Sequence, residues 1–199
     1  MNNDNFAKAL DALKDIFDEK CWVGFPTNQK FTKIDLKEDG NKAELRKVSI
    51  SGFEINTVGV IKLDIEAGRT ICKYFSKSTE KPINRSCDYV IFAKFEEQNY
   101  LLFVEMKSEI LKGYKDQFRN SMIFMEYVCR ILQEYYEVDI SFKKKLLLLY
   151  YKKSNNKQAI NEYYSSKQTG NKINETSIRK IGFRNANNQI TIRELIKKS

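Results

Sequence analysis

Two apolar stretches of the sequence decide the fold: DYVIFA at positions 88–93 and YLLFVEMK at positions 100–107. Each has the length of a β-strand and is too short for a buried helix. The segment between them, 94–99, is polar. The three segments together predict two adjacent strands that are joined in a β-hairpin.

The second of these strands carries charge inside an apolar run. Because side chains alternate between the two faces of a strand, Glu105 and Lys107 are expected on one face. Leu102, Val104 and Met106 are then expected on the other face, in the core. Charged residues are rarely found inside an apolar strand unless they are paired or bind a metal, so this end of the hairpin is the first candidate for a functional site.

The register of the hairpin predicts which residue lies opposite Glu105. A turn centred between Glu96 and Glu97 pairs Glu105 with Asp88, whose Cβ atom would be about 4.5–5.5 Å away. Two carboxylates at that separation repel each other, and a divalent cation with oxygen ligands relieves the repulsion. Lys107 is near enough to hold a water molecule or to offset phosphate charge. A register slip of two residues keeps this face, whereas a slip of one destroys the arrangement.

The composition excludes several other chemistries. The chain has no histidine, so a Ser-His-Asp triad, a Cys-His pair and a histidine-ligated metal are all impossible. The four cysteines are widely spaced and form no C-x-x-C pair, which argues against a zinc site and a disulfide framework and indicates reduced thiols in the cytoplasm. A hard cation such as Mg²⁺, with Mn²⁺ as a substitute, suits such a chain.

The remainder of the 199 residues predicts a single α/β or α+β domain, 1–199, whose central mixed sheet is flanked by helices. The expected elements, in chain order, are an amphipathic helix at 5–20, an irregular segment at 21–43, two strands around Gly52 within 46–66, a polar loop at 76–86, a long helix at 114–136, a buried strand at 145–151, a polar segment at 154–177, a strand at 178–183 and a terminal helix at 191–198 that Thr191 caps.

The positive charge is concentrated in the last third of the chain. Residues 141–199 hold 14 Lys/Arg against three acids, a net of +11, whereas residues 1–140 have a net of −2. A basic C-terminal extension at about 152–199 favours a polyanionic partner, although a Lys-rich composition would also produce it. No apolar run is long enough for a membrane helix, and the N-terminus does not resemble a secretory signal.

The spacing of Asp88 and Glu105-Met106-Lys107 resembles the signature of the PD-(D/E)XK nuclease superfamily. The resemblance spans about residues 48–151 and implies a restriction endonuclease-like core. It implies that Asp88 and Glu105 bind metal, that the Met106 carbonyl joins them, and that Lys107 positions the attacking water. In several branches of the superfamily the following helix supplies a glutamine, here Gln117.

The sequence departs from that signature in two places. Cys87 replaces the proline that precedes the aspartate, which is common in the superfamily. The further acid that relatives carry on an upstream helix is not identifiable. Glu19 and Glu44 are the candidates, and Glu44 is preferred as a metal ligand because it lies near the first predicted strand.

The function expected from the resemblance is Mg²⁺-dependent hydrolysis of phosphodiester bonds in nucleic acid, DNA rather than RNA, in defence against foreign DNA or in DNA repair. A homodimer or a larger defence complex would suit cutting both strands. The alternatives are an idle module of the same fold that binds nucleic acid or a protein, and an interaction protein with no nuclease site. In the last case Glu105 and Lys107 are an exposed ion pair, and Gln117 is a surface residue.

Overall fold

The computed structural model describes residues 3–24, 33–38, 43–54, 56–64, 81–108, 111–152, 172–173, 176–185 and 187–196. Its three helices are α1 (Asn3–Ile16), α2 (Tyr114–Tyr136) and α3 (Ile192–Ile196), and a 3-10 turn spans Glu19–Cys21. The strands are β1 (Trp22–Gly24), β2 (Lys33–Lys37), β3 (Lys47–Ser51), β4 (Val58–Lys62), β5 (Tyr89–Phe95), β6 (Gln98–Lys107), β7 (Lys143–Tyr151), β8 (Lys172–Ile173), β9 (Thr176–Phe183) and β10 (Asn187–Thr191). Within these residues no helix combines the length and the apolar character that crossing a bilayer requires.

The main sheet is mixed and has the strand order β1-β4-β5-β6-β7-β9-β8. The neighbours β1, β4, β5 and β6 pair antiparallel. The neighbours β6, β7 and β9 run parallel, and β8 pairs antiparallel with β9. Parallel neighbours need a crossover connection, and α2 supplies it between β6 and β7. The chain is therefore a mixed α/β protein with a central mixed sheet, as the sequence predicts.

A second sheet covers part of the first. It has the order β10-β3-β2, in which β3 pairs antiparallel with β2 and parallel with β10. This sheet was not predicted as a separate layer. Its two outer strands come from segments that are more than 100 residues apart in the chain, so local sequence patterns do not reveal that they meet.

The main sheet separates two apolar clusters. On one face, α1 and α2 pack over Val90, Phe92, Leu101, Phe103, Leu146 and Leu148. On the other face, the second sheet and α3 pack over Val60, Ile91, Leu102, Val104, Met106, Leu147 and Leu149. Both faces of β5, β6 and β7 are thus buried, which is the physical reason that their sequences are nearly continuous apolar runs.

Several predicted elements are confirmed and others need correction. Helix α2 spans the predicted 114–136, and β7 includes the predicted 145–151. Helix α1 ends at Ile16, before the predicted limit of 20, and the chain continues into the 3-10 turn. The prediction that 21–43 is irregular is wrong for β1 and β2, whose few alternating residues become strands by pairing with β4 and β3.

The described part of the basic C-terminal third is built into both sheets. Strand β9 pairs with β7 and β10 pairs with β3. Thr191 begins α3 as predicted, because the Thr191 and Glu194 side chains exchange hydrogen bonds with the backbone in a capping box. The polar segment 154–171 lies outside the described residues, as do the tip of the predicted loop at 76–80 and residues 197–199.

Candidate functional site

The candidate site lies at the open end of the β5–β6 hairpin. The observed pairing runs from Phe95↔Gln98 to Tyr89↔Val104, which is the register that the sequence predicts. One further step along this register brings Asp88, just before β5, opposite Glu105 in β6.

At this point the hydrogen-bond ladder between the two strands opens. The Cys87 N–H donates to Ser121 Oγ in α2 (2.8 Å) and no longer points at β6. The Met106 N–H donates instead to Asp88 Oδ2 (2.6 Å). In a strand the N–H and C=O of one residue point to the same side, so the Met106 carbonyl faces the same gap as the Asp88 carboxylate.

Glu105 is the most deeply buried charged residue among those described. It is 0% exposed, and its Oε1 forms an ion pair with the Lys107 ammonium, whose side chain is 24% exposed. Neither Oε atom accepts a hydrogen bond of good geometry. A buried carboxylate with so few partners is costly and calls for an explanation.

The environment raises the pKa of both carboxyls. Burial is the main cause for Glu105, followed by the Asp88 charge; the Lys107 ammonium and the Gln117 side chain act in the opposite direction, and the pKa is about 8. Burial also raises the pKa of Asp88 to about 7, against the Met106 N–H and Lys107. The pair therefore retains a proton near neutral pH in the absence of a cation.

Helix α2 holds the segment that leads into Asp88. Gln117 Nε2 donates to the Ser86 carbonyl (3.1 Å), and Asn120 Nδ2 donates to the carbonyls of Pro82 (2.6 Å) and Arg85 (2.9 Å). Together with the bond between Ser121 and the Cys87 N–H, these contacts fix the backbone before β5. Gln117 thus lies at the site, between the Ser86 carbonyl and Glu105.

Of the two upstream acids considered in the sequence, one is near the site. The Glu44 backbone N–H donates to Ser108 Oγ (3.0 Å), directly after Lys107, so Glu44 belongs to the neighbourhood of the pair. Glu19 is exposed in the 3-10 turn beside β1, two strands away from β5.

Two other acids near Asp88 were missed. Glu38 follows β2, where Ser108 Oγ approaches its Oε2 (3.4 Å); burial raises its pKa, and Ser108 and Lys107 oppose that rise. Asp64 lies two residues after β4, and the N–H of the preceding Leu63 donates to the Asp88 carbonyl (2.9 Å). The charges of both acids raise the pKa of Asp88. Asp64 ends an alternating run, which was the available signal, whereas Glu38 begins what looks like an ordinary turn.

The second sheet brings Glu38 to this position. The Tyr89 hydroxyl, in β5, accepts a hydrogen bond from the Lys37 N–H (3.1 Å) and donates one to the Lys37 carbonyl. This bridge joins the last residue of β2 to the residue after Asp88. In the described part of the chain, however, no three acidic or cysteine side chains converge as a metal-binding group.

No protein-family model matches the chain, and no curated protein or solved structure is significantly similar to it. The protein is therefore classified by its own fold and by the geometry of its site. The chain is a mixed α/β protein in which the buried Glu105, the half-buried Asp88 and Lys107 meet at the end of a central hairpin.

Proposed function

We propose that this protein is a metal-dependent nuclease that hydrolyses phosphodiester bonds in DNA. The observation that carries the proposal is Glu105, which is 0% exposed yet ionisable, lies opposite Asp88 and is paired with Lys107. Burying such a group lowers stability. A functional requirement for a cation at this position accounts for that cost.

The donor set suits a hard divalent cation such as Mg²⁺ or Mn²⁺. The carboxylates of Asp88 and Glu105 and the Met106 carbonyl place oxygen atoms around the gap where the β5–β6 ladder opens. Glu105 has two buried oxygens without a hydrogen bond of good geometry. Oxygen ligands are the ones that Mg²⁺ prefers. When bound, the ion would polarise the scissile phosphate and lower the pKa of a coordinated water. Further acids near the pair are Glu38 and Asp64, whose charges act on Asp88, and Glu44, whose backbone N–H donates to Ser108 Oγ.

The chain's own side chains have separate tasks in this proposal. Lys107, a quarter exposed beside Glu105, orients the attacking water and stabilises charge that develops on the phosphate. Gln117 holds the Ser86 carbonyl and so keeps Asp88 in place. Asp88 also accepts the Met106 N–H, which fixes the orientation of its carboxylate.

Topology and charge give further support. The antiparallel strands β4, β5 and β6 of the main sheet are followed by the long helix α2 and the parallel strand β7, and this part of the topology resembles the restriction endonuclease-like core. The last third of the chain carries a net charge of +11, which favours binding to a phosphate backbone. The DNA expectation and a role in defence rest on the family resemblance.

The test is cleavage of plasmid DNA with Mg²⁺, with EDTA as the metal-free arm. Asp88→Asn and Glu105→Gln keep shape and remove charge, and each is expected to lower the cleavage rate about 100-fold or more. Glu97→Gln makes the same change at the exposed turn of the same hairpin and is expected to cleave like the wild type. Cleavage that survives both site variants would contradict the proposal.

One observation favours a second candidate, an idle module that binds nucleic acid. Among the described residues no third acid joins Asp88 and Glu105 in a metal-binding group. If this module is the correct function, the wild type binds DNA in a salt-dependent manner but does not cleave it with Mg²⁺ or Mn²⁺.

A further inference from the structure

A row of three residues crosses the main sheet next to the carboxylate pair. The pairings Lys107↔Tyr150 and Tyr150↔Gly182 link β6, β7 and β9. Paired residues in parallel strands share a face, so Tyr150 lies on the same face as Lys107 and Glu105. All three residues of the row are partly exposed. The row therefore starts at the proposed water-positioning lysine and runs away from the metal ligands.

The Tyr150 ring lies across the backbone of β9, and Gly182 makes room for it. A Cβ atom on Gly182 would lie 2.9 Å from Tyr150 Cζ and 3.0 Å from its hydroxyl oxygen. Both distances are below ordinary van der Waals contact. Gly182 has no positive φ, so space for the ring, and not backbone conformation, is what excludes a larger residue here.

A second cation stands beside the ring. The pairings Glu105↔Leu148 and Leu148↔Lys180 put Lys180 two strands from Glu105 on the same face, a separation of about 10 Å at the usual strand spacing. The Lys180 ammonium lies 5.8 Å from the centre of the buried Tyr114 ring, in the first turn of α2. This contact holds the Lys180 ammonium over the first turn of α2, on the same face of the sheet as Glu105.

We propose that Lys107, Tyr150 and Lys180 form a subsite for an unpaired nucleotide next to the cleaved phosphodiester, so that the substrate is nucleic acid whose strands are separated at the cut. This inference rests on the nuclease proposed above. An aromatic ring stacks on any base, because every base has a π-face, but only when the base has left the duplex stack. The two lysines flank the ring and match the negative charge on either side of a nucleotide.

The test compares binding of two dye-labelled probes in EDTA, an oligothymidylate and a blunt duplex of two annealed strands. Tyr150→Leu removes the ring, and Gly182→Ala pushes it aside by adding one methyl group against the end of a flexible side chain. Both variants are expected to bind the oligothymidylate about tenfold more weakly, which corresponds to one stacked base. Duplex binding is expected to change less than about twofold, because no base is unstacked in that probe.

Two controls separate stacking from a structural role of the tyrosine. Tyr150→Phe keeps the ring and is expected to bind both probes like the wild type. Tyr127→Leu removes a tyrosine that is 64% exposed on α2 and is expected to have no effect on either probe. The urea midpoint of each variant shows whether it is folded, and the comparison uses the variants that unfold like the wild type.

The outcomes distinguish this subsite from the nuclease itself. Unchanged oligothymidylate binding in Tyr150→Leu and Gly182→Ala, or an equal loss for both probes, overturns the subsite while the cleavage results stand. Cleavage that survives both Asp88→Asn and Glu105→Gln overturns the nuclease, whatever the binding data are. A loss confined to the oligothymidylate, with the phenylalanine variant intact, supports the subsite.

Discussion

The two ends of the β5–β6 hairpin place the same residue type in opposite environments. At the turn, Glu96 and Glu97 are exposed, and Glu96 makes only a surface ion pair with Arg193 (3.8 Å). At the open end, Glu105 is 0% exposed and is packed between α2 and the sheet. The strands and the register are shared, so the difference comes from what covers each end.

The comparison shows that the position of a carboxylate in a ribbon does not decide its chemistry. Water solvates the side chains of Glu96 and Glu97 at the turn, because both residues are exposed. At the open end Glu105 is 0% exposed, and burial raises the pKa of its carboxyl. Covering one end of the hairpin thus turns two ordinary acids into a pair of carboxyls whose pKa values are raised.

The largest expected effect on stability comes from removing the Lys107 ammonium at the open end of the hairpin. Lys107→Met leaves the buried Glu105 without its ion pair, and it should lower the free energy of unfolding by about 3 kcal/mol at pH 10, about two units above the pKa of about 8 of that carboxyl. The loss should be smaller at pH 5, where Glu105 is protonated. Urea denaturation measures both values.

Two further variants sharpen this result. Lys115→Met removes an exposed lysine from α2 and should change stability little. The double variant Lys107→Met/Glu105→Gln should recover most of the loss, because no buried charge remains. Equal effects of Lys107→Met and Lys115→Met would mean that the ion pair does not stabilise the fold.

A smaller loss of stability is expected when the hydrogen bond from the Cys87 N–H to Ser121 Oγ is removed. Ser121 is 0% exposed and accepts the Cys87 N–H, so Ser121→Ala leaves a buried donor unsatisfied at a cost of about 2 kcal/mol. DNA cleavage should fall as well, because Asp88 follows Cys87. Thermal unfolding and the cleavage assay give the two readouts. Ser177→Ala, at an exposed position in β9, is the matched control and should change neither.

The pH dependence of stability offers a test without altering the fold. The folded pKa values of Asp88 and Glu105 are raised to about 7 and about 8, whereas unfolded values are about 4. Between these limits the folded chain binds more protons than the unfolded chain. The stability that the two carboxyls contribute is therefore complete below about pH 4 and is lost as the pH rises to about 8. The slope is about 1.4 kcal/mol per pH unit for each proton bound only by the folded chain.

Urea denaturation in EDTA across this pH range measures that slope. Glu105→Gln cannot release a proton and should flatten it, while Glu97→Gln should follow the wild type. A wild-type curve that rises with pH over the same interval would show that the pair is not buried as described.

The smallest effect on stability is expected at the turn of the β5–β6 hairpin. Glu96→Gln removes a solvent-exposed ion pair and should change the free energy of unfolding by less than about 0.5 kcal/mol. Chemical denaturation in low and high salt is the measurement. A loss comparable to that of Lys107→Met would remove the contrast between the two ends.

The hairpin and its register could be predicted because the information is local. Two apolar runs, a short polar connection and the alternation of faces suffice to bring Asp88 opposite Glu105, and the observed pairing has that register. The limits of α2 and the cap at Thr191 were predictable for the same reason. The assignment of Asp88, Glu105, Lys107 and Gln117 to a nuclease stays a prediction.

Other parts of the site depend on long-range pairing that a sequence pattern does not specify. Strand β2 lies in a segment predicted as irregular, and only its pairing with β3 brings Glu38 towards Ser108. The contact of Tyr150 with Gly182 joins strands separated by the 153–175 connection. Neither neighbour can be read from local periodicity, because alternation predicts a face but not the strand alongside.

The sequence by itself determined the antiparallel ribbon at 88–107, the long helix after it and the concentration of positive charge in the last third, since each follows from composition or from the period of nearby residues. Only the tertiary structure decided that Glu105 at the ribbon's open end is buried, that the ladder opens between Cys87 and Met106, and which residues from other strands approach this end. The physical reason is that burial, and with it the pKa of a carboxyl, depends on every element packed around a residue and not on the strand that carries it.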